Sequence, residues 1–185
     1  MTNSVRTGIV LAAVLLAACG KTPESEAVSA PASAATPAPP ASIDVPLKKG
    51  EVGAIVTQAG DIAYNAERKI LTARFRVENT GTVPLVSQGK LPVRLGIQLV
   101  DRDGTPVKVD FIRANLPVIA AGAAAEVDVE IPADAVVGFN LRILPVQEGV
   151  AWFDSFGQNV LVIGPLETCP DGTINICQTD PAQTN

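Results

Sequence analysis

The chain has 185 residues, with 14 Lys and Arg against 19 Asp and Glu, a net charge of −5. Its basic residues are scattered among acids, so no cationic stripe is available to displace counterions from a polyanion, and nucleic acid is excluded as a partner. It contains no histidine, which removes the commonest general base and metal ligand, and with them Ser-His-Asp and Cys-His catalysis and most zinc sites; no cofactor or metal is expected.

At the N-terminus Arg6 precedes an apolar run, Gly8 to Ala18, that ends in Leu16, Ala17, Ala18, Cys19. As a helix this run would reach about 17 Å, against roughly 30 Å of bilayer hydrocarbon, so it is too short to span. The pattern resembles the lipobox of bacterial lipoproteins, the plainer alternative being a secretory signal with a coincidental cysteine. The resemblance implies cleavage before Cys19, a diacylglyceryl group on its thiol, acylation of the new amine, and attachment to a membrane through lipid. Gly20, not Asp, follows the cysteine, which points to the outer membrane with the protein facing the periplasm. Loss of residues 1–18 removes Arg6 and no acid, leaving 13 basic against 19 acidic side chains.

After Cys19, Gly20 and Lys21, the stretch to residue 42 is Ala, Pro, Ser, Thr and Glu with Val28 as the lone large aliphatic, so that 19–42 is one segment. Such a stretch cannot bury enough apolar surface to offset the entropy of ordering, and it reads as a tether. A flexible chain of this length spans about 25–30 Å, rising toward roughly 70 Å if its Pro37–Pro40 part is extended.

From 43 to 166 the composition changes to short aliphatic runs punctuated by Gly, Pro, Asn and Asp, the pattern of one all-β domain. A first strand is expected over Val52–Gln58. In Ile70–Asn79, positions Leu71, Ala73, Phe75 and Val77 alternate with polar residues, and Asn79, Thr80, Gly81 close the strand as a turn. Val93, Leu95, Ile97 and Leu99 repeat the alternation with Arg94 and Gln98 outward, and Asp101–Gly104 turns the chain into Val107 and Val109. Val127, Val129 and Ile131 alternate with Glu126, Asp128 and Glu130; Phe139, Leu141 and Ile143 alternate with Asn140 and Arg142; Val160 and Val162 make a last strand. One helical turn fits Pro132–Gly138. Seven or eight strands with two inward faces predict an immunoglobulin-like β-sandwich.

Residues 167–185 form a tail. With Cys19 assigned to lipid, Cys169 and Cys177 remain as a pair, and Asp171-Gly172 between them is a strong turn former, so a disulfide is expected. Their spacing is not the two-residue gap of redox or zinc motifs.

Arg76 to Gly81, Val93 to Gly96, Asp101 to Gly104, Arg113, Leu116, Pro117, and above all Glu148, Gly149, Val150, Ala151, Trp152, Phe153 form a pattern over about Arg74–Gly157. It is similar to the β-sandwich accessory domains of bacterial glycosyltransferases and methyltransferases and, more loosely, to the polysaccharide-binding C-terminal sandwich of O-antigen ABC-transporter ATPases. The resemblance implies the fold; no ATPase or transferase domain accompanies the stretch. The sequence departs from the pattern at Ala121-Gly122-Ala123, where a Pro-Gly-acid turn is usual, and at Pro145, which suggests an edge strand or bulge.

Trp152 is the single tryptophan; it is either the sandwich's core aromatic or a platform for sugar, and Phe153 beside it must point the other way. Arg113 and Glu148 are either a structural ion pair or groups that orient hydroxyls. Tyr64 reads as an exposed loop aromatic, and Glu126, Asp128 and Glu130 as a solvated strand face in preference to a calcium site. Arg113, Glu148, Trp152 and Phe153 are thus the candidate binding residues. They suit a non-catalytic binding or adaptor module for an envelope polysaccharide or an envelope protein. The alternatives are a carboxylate-based glycan hydrolase and an envelope inhibitor or immunity lipoprotein.

Overall fold

The computed structural model describes residues 41–177. The signal segment 1–18, Cys19, the tether up to residue 40 and the tail beyond 177 lie outside the described residues.

The domain is an all-β sandwich of antiparallel sheets. The first sheet centres on β3 (Ile70–Asn79), flanked on one side by β6 (Ala124–Pro132) and on the other by two shorter strands, β1 (Ala54–Gln58) and β2 (Ala63–Asn65). The second runs β5 (Pro106–Asn115), β4 (Val93–Val100), β7 (Asn140–Gln147), with β8 (Ala151–Trp152) and β9 (Leu161–Ile163) sharing the far edge of β7. Single helical turns lie at Ala133–Ala135, where one was expected, and at Phe153–Phe156.

The period-two pattern dictates the core. Leu71, Ala73, Phe75 and Val77 of β3 meet Val127, Val129 and Ile131 of β6 on one inner face; Val93, Leu95, Ile97 and Leu99 of β4 meet Leu141 and Ile143 of β7 on the other, and together they form one buried cluster. The charges that alternate with them on the first sheet pair with one another in the open: Arg74 with Asp128 (2.6 Å) and Glu126 (3.8 Å), Arg68 with Glu130 (2.9 Å). Asn79 ends β3 with a buried amide that donates to Val83 O (2.8 Å) and Ile119 O (2.9 Å) and accepts from Gly81 N–H (3.0 Å), fixing the Asn-Thr-Gly turn. In the β4–β5 hairpin Asp101 Oδ1 accepts from Asp103 N–H (3.0 Å) and Thr105 N–H (2.7 Å), and Gly104 takes φ +84°.

Two details go beyond the strand pattern, and three expectations need correction. Val107 and Val109 are exposed, because β5 slips register against β4 between Ile97 and Leu99 and again before Val100, lifting its first half off the core. Gln98 faces outward yet is 3 % exposed, covered by Arg142, whose Nη1 donates to its Oε1 (2.7 Å). Tyr64 lies on β2, half-buried against the core. The last strand points Leu161 and Ile163 inward, one residue out of step with Val160 and Val162, and Val162 is exposed. Pro145 makes no bulge: β4 and β7 stay in continuous register from Val93–Gln147 to Val100–Asn140, and the proline falls in the gap between β9 and β8.

Cys169 and Cys177 are joined with their Cα atoms 5.4 Å apart, and β10 (Glu167–Thr168), just before Cys169, pairs antiparallel with β11 (Ile174–Asn175), just before Cys177. Leu166 and Ile174 are both buried in the common core, so the described part of the tail is docked. At the other end, residues 43–47 strap onto the sandwich: Ile43 N–H donates to Gln88 O (3.0 Å), Leu47 N–H to Gln147 Oε1 (2.8 Å), and Gln147 Nε2 donates to Val45 O (2.8 Å).

Candidate functional site

β7 ends at Gln147, whose carbonyl accepts Val150 N–H (3.1 Å); Gly149 takes φ +70°, and this tight turn sends the chain back along β7 as β8, pairing Trp152 with Val146. Neighbours on extended backbone point to opposite faces, so Trp152 and Phe153 part company. Phe153 is fully buried in the core, edge-to-face with Phe156 at 6.0 Å. It is the core aromatic, which corrects its assignment as a binding residue. Trp152 stays on the outer face of the second sheet, half-buried.

Gly96 of β4 seats the indole. It pairs across strands with Arg113 of β5 and Leu144 of β7, and a β-carbon at 96 would stand 2.7 Å from Cη2 of Trp152 and 3.1 Å from Nη1 of Arg113. The missing side chain is what lets both groups reach the sheet. The Arg113 guanidinium lies 4.2 Å from the ring centroid and covers one face of the indole.

Arg113 then gathers the carboxylates. Its Nη2 is bonded to Asp110, and its Nε lies 3.3 Å from Glu148 Oε1. The same oxygen is 3.8 Å from Nε of Arg94, a buried donor that has no hydrogen-bond partner among the described residues. Asp110, Arg113, Glu148, Gly149 and Trp152 line a shallow depression of about 270 Å³. Beyond it Arg142 spans Gln98 and Asp154, 2.7 Å to each.

The structure therefore brings Arg113, Glu148 and Trp152 together. It adds Gly96, Asp110 and Arg94, which sequence reasoning did not single out as site residues. Gly96 had a signal, a glycine inside an otherwise regular strand pattern; Asp110 had none beyond its charge.

Chemically the depression offers hydrogen-bond donors and acceptors beside one aromatic. Both of its carboxylates are engaged by one guanidinium, and the surface is open, unlike a glycosidase cleft with two opposed carboxyl groups. Among the described residues no group of three His, Cys, Asp or Glu side chains is placed to hold a metal ion. A larger hollow of about 460 Å³ lies at the disulfide loop, but its single carboxylate, Asp171, is committed to Thr173, whose Oγ1 lies 2.7 Å away.

No protein-family model matches the chain, and no curated protein matches it. Among solved structures it is similar to part of a β-glucosidase from Listeria innocua in complex with glucose, at 12 % identity and a TM-score of 0.33. That likeness covers 60 % of this chain and 16 % of the glucosidase.

Proposed function

We propose that the protein is a lipid-anchored module of the bacterial envelope, facing the periplasm from the outer membrane, that binds an envelope polysaccharide or envelope protein without catalysing a reaction on it. The anchor rests on the Leu-Ala-Ala-Cys pattern at 16–19 and the Pro-rich tether behind it. The binding reading is carried by one observation: Arg113 of β5 meets Glu148 and Trp152, from the β7–β8 turn and β8, at an open depression that glycine at position 96 makes room for. A sugar hydrolase needs one carboxyl group free to donate a proton and another free to attack or activate water. Glu148 and Asp110 are instead tied to Arg113.

Two experiments test this. Cys19→Ser should move the protein from the membrane to the soluble periplasmic fraction, or leave the precursor unprocessed; membrane extraction unchanged by the substitution overturns the anchor. Full-length protein in detergent, immobilised and exposed to envelope extract split into glycan and protein fractions, should retain a component that the Trp152→Ala variant does not. Equal retention by both removes the site.

A further inference from the structure

We infer that the ligand of this site is an acidic glycan, a sugar whose ring bears a carboxylate, and that Glu148 keeps the place of that carboxylate in the free protein. This rests on the binding reading above and deepens it.

Two guanidinium groups, Arg94 and Arg113, face one oxygen of Glu148, and neither reaches it at the roughly 2.7–2.9 Å of a charge-assisted hydrogen bond: the separations are 3.8 and 3.3 Å. Arg113 has a second anion in Asp110 at the exposed rim. Arg94 has no other carboxylate within ion-pair reach among the described residues, and its Nε is buried without a hydrogen-bond partner. A buried donor left unmade is costly: the two guanidiniums and two carboxylates balance in charge, and the cluster is one hydrogen-bond acceptor short at Arg94 Nε.

Arg113 lines the depression, and Arg94 is not among its lining residues. A carboxylate arriving from solvent therefore meets Arg113 first. Once it bonds there, Glu148 is free to close the gap to Arg94 and give Nε its missing acceptor. The acid enters beside the indole, 4.2 Å from which the guanidinium is stacked. A uronic acid fits this arrangement because its carboxylate is fixed to a rigid ring whose C–H face packs against aromatic surface. An acidic peptide side chain has a flexible stem and no such face.

The test uses full-length protein in detergent micelles and the fluorescence of Trp152, the only tryptophan in the chain. The probes are a galacturonic acid oligomer, the same oligomer with its carboxyls methyl-esterified, and a poly-glutamate peptide. The acid should bind about tenfold or more tighter than its ester, the worth of one charge-assisted hydrogen bond, and weaken with added salt. Glu148→Gln should tighten acid binding about threefold by removing the resident competitor, and Arg94→Gln should weaken it by a similar factor without touching the ester. Both variants should keep the wild-type melting temperature to within a few degrees, since each side chain is about a third exposed. Equal affinity for acid and ester, or no binding of either, overturns the acidic-glycan inference, while the envelope capture decides the binding reading separately. Preference for poly-glutamate overturns the glycan. Weaker acid binding by Glu148→Gln overturns the placeholder role.

Discussion

Gly96 and Trp152 occupy each other's space: the indole rests where a side chain at 96 would be, 2.7 Å from Cη2 to the position of a β-carbon. Gly96→Ala should therefore push the ring and Arg113 off the sheet. The overpacking should cost about 1–3 kcal/mol, read as a lower melting temperature, and the single tryptophan should shift its emission to the red as it becomes more exposed. Unchanged emission would mean the indole was never seated on the strand.

Trp152 and Phe153 should behave as opposites. Phe153→Ala empties a fully buried site and should cost about 3–5 kcal/mol. Trp152→Ala removes a half-buried ring from the outer face and should cost about 1–2 kcal/mol by area, leaving a folded protein. Denaturant unfolding of the two variants distinguishes them, and the reverse order would exchange their roles.

The sequence made the centre of this fold readable and its margins less so. β3 and β6 alternate cleanly because one face meets the core and the other carries Arg74, Asp128 and Glu130 into water, a period that only a half-buried strand produces. Val160, Leu161, Val162 and Ile163 are all aliphatic, so nothing local sets which pair turns inward, and a one-residue slip exchanges the faces. Gln98 is polar and outward yet buried because Arg142, 44 residues away, lies over it; only the fold could show that. Of the site, alternation established that Trp152 and Phe153 part, but not which goes inside. The deciding residue was Gly96, whose meaning depends on what crosses it.

Gln147 ties the start of the domain to the site. Its buried amide accepts from Leu47 N–H and donates to Val45 O and to Leu91 O (3.1 Å), and its backbone begins the turn that presents Glu148. Gln147→Leu keeps the volume and strands these partners, at about 1–3 kcal/mol for each buried group left unsatisfied. Hydrogen exchange should quicken at residues 43–47 before it does at β3 or β4. Exchange that is uniform, or unchanged at the strap, would contradict this.

The hydrogen bond and charge of Arg74 hold the Asp128 carboxyl below its ordinary range, and hydrogen bonds from the Thr173 hydroxyl and N–H do the same to Asp171. A carboxyl depressed in the folded state stabilises it above about pH 4, the ordinary aspartate value, and that contribution is lost as pH falls through the depressed value. Carboxyl carbon NMR titration should find both groups low. Arg74→Gln should return Asp128 toward the ordinary value, as should high salt, and Thr173→Val should return Asp171; a titration unmoved by either substitution would place the cause elsewhere.

The most direct measurement is a two-dimensional ¹H–¹⁵N spectrum recorded while an envelope glycan fraction is added. One tryptophan gives one indole N–H signal, a reporter at the centre of the site. This signal and the amides of residues 147–152 should shift together and saturate, with the glycan chemically unchanged after prolonged incubation. Shifts confined to other surfaces with the indole signal still, or accumulation of cleaved glycan that stops when Glu148 is replaced, would contradict the binding reading.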